Sequence, residues 1–339
     1  GASASTGWRE RRHQPSPVWE SVLYGAAGVA HHAALTRLLL ERGADPNDEE
    51  TPYHVPEGRD NAALQVLLES GTLTADSLAT MLLRKADWHD TAGVRLLLEH
   101  GADPNRMTRW GRTALHQAIL RDNEFASVEA MLDSGADPQR PFHGMSPIAL
   151  AARRGRGDIL ASIGARGMSL DLSGVDRLVA ACAGNDEAGI RMLVEREPHQ
   201  VTALLAEGGR LLAAFAGNGN ADGVRRLLDL GVAVGAVFAE GDGYWDVAPG
   251  STALHVAAWR ARHDTVRLLV ARGAAVDAKD GRGRTPLALA VRACVDSYWS
   301  DRRSPESVRA LLGAGASTAG IPFPSGYQEV DDLVQPPPG

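Results

Sequence analysis

The sequence contains little cysteine and no long apolar run. Only two of its 339 residues are cysteines, so no disulfide framework is expected, and a reducing compartment such as the cytoplasm is favoured. Cys182 and Cys294 are expected to act as small core residues. No segment is apolar enough over its length to cross a bilayer. The small, polar start from Gly1 to Gly7 does not resemble a secretory signal.

Lysine is also scarce, since it occurs only at Lys85 and Lys279 among 35 basic residues. This preference for arginine, with abundant alanine and glycine, is typical of a GC-rich genome, and we expect a bacterial one. The formal net charge is −7, so the chain lacks the general positive field that nucleic-acid binding requires. Nucleic acid is therefore not the favoured partner.

Motifs for catalysis, cofactors and metals are missing as well. The chain has no His-Glu-x-x-His, Gly-x-Ser-x-Gly, Cys-x-x-Cys or phosphate-loop motif. The glycine-rich segment 281–284 precedes a Thr-Pro-Leu and is interpreted as a turn. We therefore predict a non-enzymatic protein with no cofactor and no metal.

A seven-residue phrase recurs along the chain. Glu-Arg-Gly-Ala-Asp-Pro-Asn at 41–47 returns at 99–105 as Glu-His-Gly-Ala-Asp-Pro-Asn, and at 133–139 as Asp-Ser-Gly-Ala-Asp-Pro-Gln. Looser copies stand at 271–277 and 313–316, and each copy follows a short apolar run. Such internal repetition decides the architecture of a chain before any other feature.

A second phrase lies upstream of these runs, as Thr-Pro-Tyr-His at 51–54, Thr-Ala-Leu-His at 113–116 and 252–255, and Thr-Pro-Leu-Ala at 285–288. Together the two phrases, at a period of roughly 33 residues, resemble the ankyrin repeat. The resemblance implies an all-α solenoid of helix-turn-helix units with short hairpin loops. It also implies a module that binds a partner rather than transforming a substrate.

The resemblance covers residues 17–318 and predicts about nine repeats, several of them degenerate. Before this array we expect a flexible leader at 1–16, and after it a Pro-rich tail or cap at 319–339. The approximate repeat spans are 17–47, 48–71, 72–105, 106–139, 140–170, 171–199, 200–234, 235–277 and 278–318.

Each part of the pattern has a physical role within one repeat. The threonine can cap the first helix with its hydroxyl, and proline suits the first helical turn. Alanine pairs let neighbouring repeats approach, and the leucine runs form the buried face of the second helix. Glycine ends that helix in a left-handed conformation. Because no repeat buries its apolar face alone, stability is expected to come from stacking.

Three histidines, His54, His116 and His255, share one position of the repeat. The resemblance implies that each makes structural hydrogen bonds from its helix to a hairpin. They are therefore not candidate catalytic residues.

The resemblance also indicates where a partner would dock, on a concave face made of hairpin tips and of the two positions after the alanine pair. Tryptophan and arginine are frequent at these positions, and both often dominate interface energies. The residues predicted to bind a partner are Trp88, Arg109, Trp110, Arg112, Arg121, Phe142, Arg153, Arg154, Trp259, Arg260, Arg282 and Arg284, together with Tyr244 and Trp245 from an insertion.

A basic, aromatic face suits an acidic protein or peptide partner. In the alternative interpretation of any one arginine, it pairs with an acid of a neighbouring repeat and only solvates a helix. A second functional hypothesis is that the same face recognises an anionic small molecule or nucleic acid. The role would be cytoplasmic, or that of a secreted bacterial effector acting on host proteins, and the sequence predicts no oligomeric state.

Two insertions interrupt the period. The first, at 232–250, is either a projecting finger with exposed Tyr244 and Trp245 or a finger whose aromatic side chains fold back on its own base. The second, at 295–307, contains Tyr298 and Trp299. We interpret it as an extension of the preceding helix with a capping role, away from the hairpin edge.

Overall fold

The computed structural model describes residues 6–10, 18–297 and 299–334. Most of the predicted leader, Tyr298 and the last five residues of the tail lie outside these described residues. The chain forms two compact units. The first comprises the residues up to Leu150 together with Ala165–Met168, and the second comprises Ala151–Gly164 and the residues from Ser169 onward.

The first unit is mostly helical. Its elements are β1 Gly7–Glu10, β2 Val18–Ser21, α1 Val22–Tyr24, a π-helix Gly25–Val29, α2 Ala33–Glu41, α3 Glu50–His54, α4 Ala62–Glu69, α5 Ala75–Asp87, α6 Thr91–Glu99, α7 Ala114–Leu120 and α8 Phe125–Asp133. Two further helices, α9 Pro147–Arg153 and α10 Gly157–Ala165, contain residues of both units.

The second unit continues the same pattern of short helices. Its elements are α11 Val175–Ala183, α12 Glu187–Arg196, α13 His199–Ala206, α14 Gly208–Asn218, α15 Ala221–Asp229, β3 Val237–Phe238, β4 Ser251–Thr252, α16 Ala253–Trp259, α17 His263–Ala271, α18 Pro286–Val295, a 3₁₀ turn Ser300–Arg302, α19 Glu306–Gly313 and α20 Gln328–Val334.

These helices confirm the predicted all-α repeat fold. Every predicted repeat span contains a pair of helices, and in the first span the π-helix extends α1 as the first member. Equivalent helices of successive pairs pack on one another, as α5 does on α7 and α6 on α8 in the first unit. In the second unit α14 packs on α16 and α16 on α18. Burial is thus shared between neighbouring repeats.

Capping explains where the first helix of a repeat begins. The Thr113 hydroxyl lies 2.8 Å from Nδ1 of His116, and Thr252 repeats this arrangement with His255 at 2.8 Å. Each pair forms a capping box in which the histidine takes the role usually held by glutamate. Thr285 caps α18 by accepting a hydrogen bond from the Ala288 amide at 3.2 Å.

The core consists of small and branched apolar side chains. Leu97 and Leu115 in the first unit and Leu269 in the second are buried. Cys182 and Cys294 are also buried and free, as predicted. Burial raises the pKa of the Cys182 thiol to about 12 and that of the Cys294 thiol to about 11, so neither is a reactive thiolate at neutral pH.

Three elements lie outside the repeat pattern. Part of the predicted leader, β1, pairs antiparallel with β2, with Gly7 opposite Ser21. An additional helix, α13, lies between two repeats and packs on α11. In the predicted tail α20 packs on α19 and buries Val330, which gives the last repeat a helical cover. Among the described residues, no helix combines the length and hydropathy needed to cross a bilayer.

Candidate partner-binding surfaces

In the first unit, the carboxylate of Asp87 lies in a hydrogen-bonded network that includes the predicted residues Arg112 and Arg121. Asp87 ends α5, and its Oδ2 lies 2.6 Å from Nη1 of Arg84. Its Oδ1 accepts from Nε of Arg121 at 3.1 Å and from the side-chain amide of Gln117 at 2.5 Å. Arg112 joins the same network through a 3.0 Å hydrogen bond to Gln117. Arg84 also pairs with Glu57 at 2.8 Å, so the network contains three arginines and two carboxylates, Asp87 and Glu57.

Arg112 is the least satisfied of these arginines. Burial lowers the pKa of its guanidinium, the neighbouring charge of Arg121 lowers it further, and Asp87 only partly opposes the change. Its Nε is buried and finds no hydrogen-bond partner in the described part of the chain. Positive charge is thus in excess here, and a further carboxylate would relieve it.

Aromatic rings lie beside this network. The rings of Tyr53 and Trp110 are 5.7 Å apart, with the guanidinium of Arg84 4.1 Å above Tyr53 and that of Arg109 4.7 Å above Trp110. Trp110 is half-buried at the hairpin tip. Trp88, next to Asp87, exposes 42% of its surface, which is large for a tryptophan.

Phe142 supports Arg112 from the following hairpin. Its ring centroid lies 5.2 Å from the guanidinium carbon of Arg112. The ring also covers Gly111, whose φ is +74° and where a Cβ would come within 2.7 Å of the phenyl ring. Both the positive φ and the close phenyl ring therefore require glycine at position 111. We call Trp88, Trp110, Arg112 and Arg121, with Asp87 at their centre, the arginine–tryptophan surface.

In the second unit, Arg153 is already engaged within the fold. Its Nε lies 2.6 Å from Asp176 and its Nη1 2.8 Å from Glu207. This is the alternative interpretation of the predicted arginines, pairing with acids of neighbouring helices. Arg154 is half-buried, and its carbonyl accepts a hydrogen bond from Asn218 at 2.9 Å.

The first insertion folds back rather than projecting. Trp245 is 6% exposed and Trp259 is 2% exposed, and the indole N–H of Trp259 donates to the Trp245 carbonyl at 2.6 Å. Arg260 is 3% exposed, with its guanidinium 4.4 Å from the Trp245 ring. The prediction that these three side chains are exposed is therefore corrected, because the insertion covers them. Tyr244 alone of this group stays exposed.

Asp246 connects the first insertion to the next repeat. Its carboxylate pairs with Arg282, with Arg284 at 3.2 Å and with Arg292 at 2.5 Å. Burial alone would raise the pKa of Asp246, but hydrogen bonds from Arg292 and Arg282 and the nearby charges outweigh it and lower that pKa to about 2. Arg282 and Arg284 thus hold the first insertion against the next repeat through their ion pairs with Asp246.

The second insertion supplies a residue that the sequence analysis did not assign to this place. α18 ends at Val295, and Trp299 turns inward to lie 5.6 Å from the Trp245 ring and 5.4 Å from the Trp259 ring. The expected helix extension away from the hairpin edge is therefore wrong. The only sequence feature that pointed to this contact is the tryptophan in each insertion. Because the two insertions are far apart in the sequence, their contact could not be predicted from spacing.

The repeated histidines behave differently from one another. His255 contacts the carbonyls of Ala278 at 3.0 Å and Arg284 at 3.1 Å, which is the expected bond from helix to hairpin. Burial lowers the pKa of His255, so the neutral ring is favoured. His54 instead lies between Glu50 at 3.2 Å and Glu57 at 3.1 Å. Within the described residues no group of histidine, cysteine and carboxylate side chains could hold a metal ion.

The paired helices, their capped starts and the hairpin turns between them define a helical repeat protein. The family model described as Ankyrin repeats (3 copies) matches residues 81–173, 177–280 and 212–319, which is most of the chain. The chain therefore belongs to the ankyrin repeat family. Ankyrin repeat domains generally mediate protein–protein interaction.

Curated relatives match only over part of their length. Transient receptor potential cation channel subfamily A member 1 of Homo sapiens is 30% identical over 93 residues, covering 25% of this chain and 8% of that protein. Protein glp-1 of Caenorhabditis elegans is 30% identical over 150 residues, covering 37% and 11%. Potassium channel AKT1 of Arabidopsis thaliana is 33% identical over 175 residues, covering 40% and 20%. The chain thus matches at most a fifth of these relatives.

Two solved structures are also similar to this chain. The human ASB11 ankyrin repeat domain is 20% identical with a TM-score of 0.31, covering 88% of this chain and 100% of that chain. The ankyrin repeat domain of Bcl-3 is 22% identical with a TM-score of 0.31, covering 68% and 97%.

Proposed function

We propose that this protein is a non-enzymatic, cytoplasmic interaction module whose first unit binds an acidic segment of a partner protein. The observation that carries this proposal is Arg112, whose buried Nε has no hydrogen-bond partner in the described part of the chain and which belongs to a network of three arginines and two carboxylates. A partner's aspartate or glutamate would bring a third negative charge, and guanidinium groups bind carboxylates in a strong, directional way.

The exposed ring of Trp88 supports the same proposal. A tryptophan of which 42% is exposed loses much of its contact with water when a partner covers it. Tryptophan and arginine together are typical of interface positions whose truncation weakens binding most. We therefore propose a partner segment that places an acidic residue on Arg112 and an apolar residue on Trp88 or Trp110.

The second unit contributes less to this proposal. Arg153 is paired with two acids, and Trp245, Trp259 and Arg260 are covered by the first insertion. Arg282 and Arg284 are paired with Asp246 of the first insertion, so they too are engaged within the fold. The proposed interface is therefore restricted to the arginine–tryptophan surface.

A peptide selection tests this function. A random peptide library is selected on the whole protein, and the Kd of the enriched peptides is measured by fluorescence anisotropy. We expect acidic peptides, with Kd raised about tenfold or more by Arg112→Gln and by Trp88→Ala, as for interface residues of this kind. Arg95→Gln, which removes an exposed arginine from α6, is the matched control.

Two outcomes would contradict the proposal. One is an unchanged Kd in both variants, which would place the binding site elsewhere. The other is enrichment of no peptide while a polyanion binds with a steep salt dependence, which would favour the hypothesis of an anionic small molecule or nucleic acid. An interface anchored by tryptophan should weaken less as salt rises.

A further inference from the structure

The second helix of the first repeat, α2, has an apolar face that no described residue covers. Leu35 is 40% exposed and Leu38 is 44% exposed, and Val29 just before the helix is 60% exposed. Thr36 is the buried residue of this helix. A face that no neighbouring repeat covers is expected to be polar, because polar outer faces keep repeat proteins in solution. The apolar face of α2 therefore needs another explanation.

Leu35 departs from the repeat pattern at its own position. The phrase Arg-Leu-Leu-Leu-Glu occurs in α2 at 37–41 and again in α6 at 95–99, so Leu35 aligns with Gly93 and Leu38 with Leu96. Leu96 is half-buried, whereas Leu38 is exposed. The residues that stand at the position of Leu35 in other second helices are all small, namely Ala63, Gly93, Ser127, Gly189, Gly223 and Thr265. Leu35 thus adds a bulky apolar side chain where the repeat itself needs only a small one.

The same face of α2 carries complementary groups at its two ends. At about 100° per residue, Leu35, Leu38 and Glu41 fall on one side of the helix. Glu41 is exposed and forms no ion pair within the part of the chain that the structure describes. At the helix start, Nδ1 of His32 accepts from the Leu35 amide at 3.1 Å, so in the neutral ring Nε2 carries the proton and can donate. One end thus offers an acceptor, and the other offers a donor beside the positive end of the helix.

We propose that α2 docks on α2 of a second copy of this chain, antiparallel and related by a two-fold axis. Leu35 of each copy then lies against Leu38 of the other, because the two positions are equally far from the axis. Glu41 of each copy lies beside His32 and the positive start of the other α2. The face is complementary to itself when reversed, which is the requirement for an interface between identical copies.

Two further charges are compatible with this dimer. Arg37 lies next to the axis, so the two copies bring two guanidinium groups close together, but each is paired with Glu69 of its own copy at 3.1 Å. Arg42 stands at the C-terminal end of its own helix, where a positive charge is favourable. Both charges are therefore offset within one copy.

The size of the face predicts a weak dimer. A nine-residue helix is about 13 Å long and about 10 Å wide, so the area buried stays well below the roughly 800 Å² per partner of a standard interface. We expect a Kd on the order of 10–100 µM. Because the same patch is used on both copies, association should stop at the dimer.

Sedimentation velocity of the whole chain, from about one tenth to about ten times that Kd, tests the proposal. We expect the wild type to change from monomer to dimer across this range. Leu38→Glu should stay monomeric throughout, because it places two carboxylates in the apolar contact. Since Leu38 is exposed in the monomer, the circular dichroism and Tm of this variant should match those of the wild type at low concentration.

A second variant tests the charge complementarity. Glu41→Gln should raise the dimer Kd about three- to tenfold, because it weakens two symmetric contacts of the exposed kind. Glu99→Gln, at the equivalent exposed position of α6, is the matched control and should leave the Kd unchanged. Arg112→Gln should also dimerise like the wild type, which separates this test from that of the arginine–tryptophan surface.

The proposal is overturned if the wild type remains monomeric over the whole range. A dimer that persists in Leu38→Glu would use another surface, and growth beyond the dimer would mean an open assembly, so either result also rejects it. If the wild type remains monomeric while peptides selected from a library lose their binding in Leu38→Glu, the face of α2 belongs to a different protein.

Discussion

At the scale of single residues, Lys85 is a charged side chain without any exposed surface. Its Nζ donates to Asp90 at 2.8 Å and to the Gly58 carbonyl at 3.0 Å. Burial lowers the pKa of Lys85, and Asp90 opposes this change. Asp90 also caps α6 through the Gly93 amide at 3.1 Å. The hydrogen bond to Gly58 therefore connects this ion pair of the third repeat to a loop of the second repeat.

Breaking this pair should be costly. We predict that Lys85→Met destabilises the first unit by about 3–5 kcal/mol, because it leaves the charge of Asp90 buried without its partner. Urea denaturation followed by circular dichroism measures the change. The double variant Lys85→Met, Asp90→Asn should recover part of the loss, since asparagine keeps the cap and removes the charge. Equal stability of Lys85→Met and wild type would show that the Lys85–Asp90 pair does not stabilise the fold.

Asp246 predicts an acid-sensitive contact in the second unit. Its pKa is lowered from 3.8 to about 2, so its ionised form stabilises the fold above about pH 4, and this contribution is lost as pH falls toward 2. We expect wild type to exceed Asp246→Asn in urea midpoint at neutral pH, with the gap closing between about pH 4 and 2. Tryptophan fluorescence reports the midpoint.

A control is needed because other acids titrate in the same range. Asp229→Asn removes the partner of Arg272, an exposed pair at 2.9 Å, and should change the midpoint little at any of these pH values. A gap for Asp246→Asn that stays constant down to pH 2 would argue against the arginine contacts of this carboxylate.

At the scale of elements, the two insertions form one structure. Trp245 comes from the first insertion, Trp299 from the second and Trp259 from the end of α16, and their rings pack within the core. The ring of Trp245 contacts that of Trp299 across the two insertions. Because each insertion covers part of the other, we expect them to open together.

This coupling can be measured. We predict that Trp299→Ala destabilises the second unit by about 3–5 kcal/mol and increases amide hydrogen exchange across residues 240–248, in the other insertion. Tyr244→Ala, at an exposed ring, should have a much smaller effect. Faster exchange confined to residues near position 299 would mean that the insertions are independent.

At the scale of the whole molecule, stability is expected to be local. Repeat proteins are stabilised by contacts within a repeat and with its neighbours, so damage to one repeat should spread only a short way. We predict that Leu97→Ala, at a fully buried position of α6, costs about 2–5 kcal/mol and speeds exchange in the first unit. Leu269→Ala in α17 should do the same in the second unit.

The exposed Leu38 provides the comparison. It is 44% exposed, so Leu38→Ala should change stability by well under 1 kcal/mol. Unchanged stability in Leu97→Ala would mean that the third repeat does not fold as a repeat. Hydrogen exchange with mass spectrometry distinguishes the two units in a single experiment.

The repeat pattern could be predicted from the amino-acid sequence. Threonine caps, alanine pairs, leucine runs and glycine ends act within one repeat or between neighbours, so their spacing was enough to predict the helix pairs. The burial of the two cysteines and the hydrogen bond from His255 to a hairpin were predicted from the same local pattern. For the same reason Trp110 and Phe142 could be placed at hairpin tips.

The conformation of the insertions and the pairing of individual charges could be seen only in the folded molecule. The exposure of Trp259 depends on whether Trp245 and Trp299 fold over it, and those residues lie in two separate insertions. Whether an arginine is satisfied, as Arg153 is, or crowded, as Arg112 is, depends on acids about 20–60 residues away. Sequence spacing determines local capping and burial, whereas ion pairing and aromatic packing arise only when distant segments meet in space.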